Sequence, residues 1–226
     1  MRLQELLPSK KVYNLYNMSN RFMRKLYLAL SILAFFVINS LHAQSLSEVN
    51  TLRRINPDNP NSAVWTNLSS TSKYICVGVP VGFFVAGLIH DNKDLKQKAA
   101  YTAATILLNT ATTTLLKNIV KRERPYKVYT GIFPDQIESD YSFPSGHTSS
   151  AFAIATSLAI TTKKWYVALP AFAWSASVGY SRIYLGQHYP SDVLMGALVG
   201  TSSAFICDWA TKQLHKRKKS TLARIK

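Results

Sequence analysis

The chain is poor in acid and nearly devoid of cysteine. Its 226 residues carry 11 Asp and Glu against 27 Lys and Arg, and two cysteines, Cys76 and Cys207. Both thiols sit inside apolar runs far apart in sequence, which argues against a disulfide framework or a zinc site and predicts two buried free thiols. No CxxC or HExxH spacing occurs, so no metal ligands are assigned. No internal repeat is present, and the length suits one domain or at most two. Charge of either sign is scarce, at 17% beside 47% hydrophobic residues, yet the formal net charge is +16. The basic residues must therefore be placed to some purpose.

What the chain does have is six stretches free of Asp, Glu, Lys and Arg: Leu26 to Gln44, Tyr74 to His90, Ala99 to Leu116, Thr148 to Thr162, Trp165 to Ser181, and Val193 to Cys207. Each approaches the ~20 residues that span a bilayer. Several are rich in Ser, Thr, Gly and Ala, which lets membrane helices approach closely but also suits a soluble all-α core. Short links favour an all-α, membrane-embedded bundle with five or six spanning helices. With a cytoplasmic N-terminus, 18 of the 27 basic residues fall on the cytoplasmic side, as the positive-inside rule expects. Lys117, Arg124 and Arg182 are among the nine on the opposite face.

Four regions follow. Residues 1–43 read as a signal peptide, starting near Met23 and ending at Ala43, or as a first transmembrane helix. Residues 44–72 are polar, hold Pro57 and Pro60, and read as a periplasmic loop. Residues 73–211 form the helical bundle, and 212–226 a basic cytoplasmic tail. The HKRKK run beyond a final apolar helix is a topology determinant near anionic lipid, so membrane lipids are expected partners and nucleic acid is not.

Three motifs lie on the face opposite the lysine-rich one. Lys117 and Arg124 are seven apart, on one side of a helix that Pro125 would close, and form either an anion-binding pair or a solvated basic face. In FPSGHTSSAF, a helix beginning just after Gly146 would aim backbone N–H groups and the helix dipole at an anion above Ser145 and Gly146. His147 then stands at the rim of that cradle, unless it is simply a cap. In SRIYLGQHYPSDV, Asp192 lies four residues after His188, a spacing that lets the carboxylate reach Nδ1 and fix the tautomer, or that makes a surface pair.

Taken together as K-x6-R-P, P-S-G-H and S-R-x5-H-x3-D, the sequence resembles the type-2 phosphatidic acid phosphatase superfamily, which also includes bacterial class A acid phosphatases and vanadium haloperoxidases. Eleven positions match: Lys117, Arg124, Pro125, Pro144, Ser145, Gly146, His147, Ser181, Arg182, His188 and Asp192. The resemblance covers residues 73 to 211. It implies an acid phosphatase/haloperoxidase-like core and a phosphorylated lipid substrate. It further implies attack on phosphorus by His188 with a phosphohistidine intermediate, orientation by Asp192, and protonation of the leaving oxygen by His147. Lys117, Arg124, Ser145, Gly146 and Arg182 would hold the phosphate. It implies neither metal nor cofactor.

The expected protein is thus a multi-pass phosphatase of a bacterial inner membrane, its site facing the periplasm, acting on a lipid phosphate monoester or diphosphate. The alternatives are a soluble periplasmic acid phosphatase, a vanadate-dependent haloperoxidase and a non-catalytic lipid-binding membrane protein. The stretch YKVYTGIFPDQIESDYS, with Asp135, Glu138 and Asp140, either borders the entrance or is an ordinary solvated loop. Substrate identity and oligomeric state have no signature in the sequence.

Overall fold

The structure, a computed structural model, describes the backbone of residues 46–225 and the side chains of residues 47–214. The expected signal peptide or first helix at 1–43 lies outside the described residues. Among the described residues regular structure is entirely helical: α1 (Leu46–Ile55), α2 (Ala63–Ile89), α3 (Lys93–Val120), the single turn α4 (Pro125–Val128), α5 (Gly146–Thr162), α6 (Trp165–Tyr184) and α7 (Pro190–Ile225). The five charge-free stretches from Tyr74 onward each fall in one of α2, α3, α5, α6 and α7, so the all-α reading stands.

Tight connections make neighbours antiparallel. Asp91 (φ 41°) turns the chain between α2 and α3. The Asn92 side chain then caps α3 by accepting from the N–H groups of Asp94 and Leu95 at 2.9 and 3.2 Å. Lys163 (φ 56°) does the same turning between α5 and α6. These turns share the end of the bundle away from the start of α5. The segment between α4 and α5, the corner between α6 and α7, and α1 gather at the other end.

The central column is α5, whose Thr148, Ser149, Ala151, Ala153, Ile154, Ala155, Thr156 and Ser157 are buried against α2, α3, α6 and α7. Small side chains there let backbones close in. At Gly200 of α7 a Cβ would lie 2.0 Å from the Ser149 carbonyl oxygen, and at Gly196 it would lie 2.6 Å from that of Ser145. Several interior hydroxyls donate within their own helices, as Thr105 does to Tyr101 O at 3.0 Å and Ser175 to Ala171 O at 2.9 Å. Large apolar side chains face outward instead. Val77, Val81, Phe84 and Leu88 make one such stripe on α2, each at least half exposed, and Leu194, Phe205 and Ile206 continue the pattern on α7. Contiguous apolar outer faces around a small, polar interior are what hydrocarbon favours and water does not. By length and composition, Ala63–Ile89 and Pro190–Leu214 could each cross a membrane.

Three expectations need correction. The polar loop of 44–72 is largely helix: α1 and the first ten residues of α2 fall within it, leaving 56–62 as the connection. The reason is an apolar side on α1, where Val49 and Leu52 are buried with Ile132, Ile183 and Tyr189, and Ile55 packs against them. The basic tail of 212–226 is no separate segment, because α7 continues unbroken to Ile225. Of the two thiols, both free, Cys76 is buried but Cys207 is only half-buried.

Gly200→Ala is expected to destabilise by about 1–3 kcal/mol through overpacking, read as a lower Tm in detergent. Gly82→Ala, where a Cβ meets nothing within 4 Å, should leave Tm unchanged or higher. Equal losses in the two variants would refute the close seam between α5 and α7.

Candidate active site

The eight site residues expected from the motifs come from four separate places in the chain. Lys117 is in the last turn of α3, Arg124 caps α4, and Ser145, Gly146 and His147 open α5. Arg182 is in the last turn of α6, His188 in the corner that follows, and Asp192 in the first turn of α7. All sit at the same end of the bundle. Lys117, Arg124, Gly146, His147 and His188 line one cleft of about 330 Å³, with α2 supplying Ser72, Lys73 and Cys76.

Lys117 and Arg124 converge, but not along one helix. The expected closure at Pro125 comes earlier: α3 ends at Val120, Lys121 takes a left-handed conformation (φ 50°), and Arg124 is extended (φ −71°, ψ 148°). An extended residue before proline is what the ring demands. The bend carries Arg124 under the His188 corner, where its Nη1 donates to Gln187 O at 3.0 Å and lies 3.5 Å from His188 Nε2.

Ser145 is the N-cap of α5, and its N–H donates to Asp192 O at 3.0 Å, tying the starts of α5 and α7 together. Helix geometry leaves the next N–H groups, from Gly146 onward, without intrahelical acceptors at the cleft floor. His147 is half-buried on that first turn. Arg182 stands behind the cleft, donating to Ser69 Oγ at 2.9 Å and to Glu138 Oε1 at 2.8 Å.

Behind His188 the contact differs from the expected direct carboxylate–imidazole bond. Nδ1 is 3.5 Å from Asp192 Oδ2, and Ser142 Oγ bridges the two from one side, 3.3 Å from Nδ1 and 2.5 Å from Oδ2. A carboxylate only accepts, so the Ser142 hydroxyl hydrogen goes to Asp192 and its oxygen accepts from Nδ1–H. That places the proton on Nδ1 and leaves the Nε2 lone pair toward the cleft. Burial first, then the charges of Arg124, Arg182 and Lys117, push the His188 imidazole well below its ordinary value, with Glu138 opposing. The ring is neutral at neutral pH.

Five participants had no assigned place in the motifs: Ser142, Glu138, Asp140, Arg122 and Glu48. Glu138 pairs with both Arg124 and Arg182, and Asp140 with Lys117 (2.9 Å) and Arg124, so these two acids of the 129–145 segment enter the site, Glu138 largely buried and Asp140 at its exposed edge. Burial alone would raise Glu138, but Arg182 and then Arg124 outweigh it and bring the carboxyl down to about 2. Burial likewise opposes Lys117 and Arg124 at Asp140, which also falls to about 2. Density of acids before PSGH in a basic chain was the available signal. Arg122 and Glu48 lie behind Asp192, at 2.7 Å and through Arg122 respectively.

A family model described as the PAP2 superfamily matches residues 98–217. A lipid A 4'-phosphatase of Bacteroides thetaiotaomicron is 25% identical over 187 residues, covering 77% of this chain and 82% of that protein. The bacitracin transport permease protein BcrC of Bacillus licheniformis is 44% identical over 79 residues, 34% of this chain; this chain spans only 37% of its length. The crystal structure of LpxE from Aquifex aeolicus superposes with a TM-score of 0.62 at 26% identity, over 73% of this chain and 96% of that one.

Glu138 and Asp140 are depressed on folding from 4.5 and 3.8 to about 2, so each contributes stability above its unfolded value that is lost as pH falls toward about 2. The Tm advantage of wild type over Glu138→Gln and Asp140→Asn should be complete at pH 6 and shrink below about pH 4.5. Thermal unfolding in detergent across that range checks it; a gap independent of pH would contradict the pairing.

Proposed function

The chain belongs to the PAP2 superfamily, and from that premise we propose that it is a membrane lipid phosphatase, hydrolysing a phosphate monoester or diphosphate on a lipid. The observation that carries the reading is the convergence of His147, His188, Lys117 and Arg124 on one cleft, with the Nε2 lone pair of His188 turned inward.

In the proposed reaction a phosphate oxygen set is held by Lys117, Arg124, Arg182 and the free N–H groups that follow the Ser145 cap, from Gly146 onward, where charge shifts in the transition state. His188 Nε2 forms a bond to phosphorus while the bond from phosphorus to the lipid oxygen breaks. His147 gives that oxygen its proton. Water then attacks phosphorus, giving a proton to His147 as the bond from phosphorus to His188 Nε2 breaks, and inorganic phosphate leaves with both histidines restored. Asp192, through Ser142, keeps the proton of His188 on Nδ1 throughout.

The membrane setting is supported by the apolar outer faces of α2 and α7. Orientation follows from charge: Lys93, Lys96, Lys98, Lys163 and Lys164 cluster at the end opposite the cleft. Under the positive-inside rule that end is cytoplasmic and the cleft faces the periplasm of a bacterial cell. Residues 1–43 would then deliver the chain to the far side as signal peptide or first helix, and the bundle from α2 to α7 would be the catalytic unit. Lipid A and polyprenyl diphosphates are the first substrates to try, since similar proteins are named lipid A 4'-phosphatase and undecaprenyl-diphosphatase.

Detergent-purified protein is expected to release phosphate from a panel of lipid phosphates and diphosphates, with activity retained in EDTA. His188→Ala should abolish release, and His147→Ala should lower the rate by about 10²-fold or more, least for good leaving groups. Turnover surviving in His188→Ala would overturn the nucleophile assignment. Release from membranes by alkaline carbonate would overturn the membrane assignment.

A further inference from the structure

Arg122 and Glu48 form a buried relay behind the candidate site. Arg122 Nη1 donates to Asp192 Oδ1 at 2.7 Å and to Ser191 Oγ at 2.7 Å. Its Nη2 meets Glu48 Oε2 at 3.0 Å, and its guanidinium lies 3.8 Å above the Tyr189 ring. Glu48 in turn accepts from the Ser191 N–H at 2.8 Å through its other oxygen. Side-chain exposure is 4% for Arg122, 9% for Glu48 and 0% for Asp192.

The geometry divides the two oxygens of Asp192. Arg122 takes Oδ1, while Oδ2 accepts from Ser142 Oγ and from the Tyr189 N–H at 3.0 Å. A carboxylate pinned at one oxygen by a planar guanidinium cannot rotate about its last bond without breaking that contact. The same clamp holds Ser191 and Tyr189, the residues flanking Pro190, from both sides. Glu48 is supplied by α1, which docks through Val49 and Leu52 and lies outside the stretch 98–217 matched by the family model.

We infer that Arg122 and Glu48 are positioning residues of this site, acting in series through Asp192 Oδ1 to hold Oδ2, Ser142 and the His188 imidazole in one tautomer and orientation, so that α1 is a working part of the site. The inference rests on the phosphatase reading for its kinetic consequence, but its structural consequence, the state of His188, is measurable without turnover.

Two measurements on the full chain in detergent test it. In steady-state hydrolysis of lipid phosphate, Arg122→Gln should lower kcat by roughly 10²-fold, with KM changed by less than about threefold because the cleft cations are untouched. Glu48→Gln should lower the same parameter less. The double variant should be no worse than Arg122→Gln alone, since the two act along one line. Arg122→Lys, which keeps the charge, should recover part of the loss. In parallel, 15N NMR of histidine-labelled protein, with His188 assigned by His188→Asn, should show a single Nδ1–H tautomer in wild type and a tautomer mixture in Arg122→Gln. Should Arg122→Gln fail to fold, the near-isosteric Glu48→Gln and the charge-retaining Arg122→Lys carry both readouts. A wild-type His188 tautomer retained in the variants, additive kinetic losses, or a loss confined to KM would overturn the inference. Wild-type protein that releases no phosphate would overturn the phosphatase reading alone, because the NMR result would still decide this one.

Discussion

Burying three guanidinium groups at one end of a helical bundle is the constraint from which most of this structure follows. Arg122, Arg124 and Arg182 are each no more than 6% exposed. A buried charge stripped of its partner costs about 3–5 kcal/mol, so each must meet an anion. Arg122 meets Glu48 and Asp192, Arg124 meets Glu138 and Asp140, and Arg182 shares Glu138. Four of the chain's 11 acids are thereby assembled around three arginines, in a protein that has few acids to place. The path of the 129–145 segment and the docking of α1 are the two detours of the chain that deliver Glu138, Asp140 and Glu48, while Asp192 comes from the first turn of α7.

Packing and chemistry share one element. The column α5 is lined with small residues, so α7 can approach until Gly196 and Gly200 touch its backbone. That closeness brings the start of α7 beside the start of α5, where the Ser145 N–H reaches Asp192 O. His147 on one helix and His188 just ahead of the other thus face the same cleft because of glycines located further along the bundle. At the corner itself, Gly186 has φ +65°, and a Cβ there would lie 2.4 Å from Phe133 O. Only glycine allows both that turn and the approach of the 129–145 segment.

The helices were legible in the sequence because absence of charge over fifteen or more residues is a simple signal, and α2, α3, α5, α6 and α7 cover all five such stretches in the described region. The motif residues were legible because their spacing is fixed. What escaped was whatever depends on a distant partner. The shortened α3 shows this: Pro125 marks a helix limit but cannot say that the chain leaves the helix at Lys121. Asn and Pro around residue 57 made α1 look like loop, since the apolar triplet Val49, Leu52, Ile55 is meaningful only once Tyr189 and Ile183 are there to receive it. Glu138 and Asp140 looked solvated for the same reason, as nothing local announces the arginines they meet.

Those two carboxylates also change what occupancy of the cleft means. Lys117, Arg124 and Arg182 already coordinate oxygen anions belonging to the chain itself, so an incoming ligand enters by substitution and gains only the difference between its contacts and theirs. A singly charged, weakly basic anion offers little over an internal carboxylate. A tetrahedral dianion, with three oxygens to distribute among the same donors, offers more, and its arrival would cut loose the tether that now holds the 129–145 segment against the bundle.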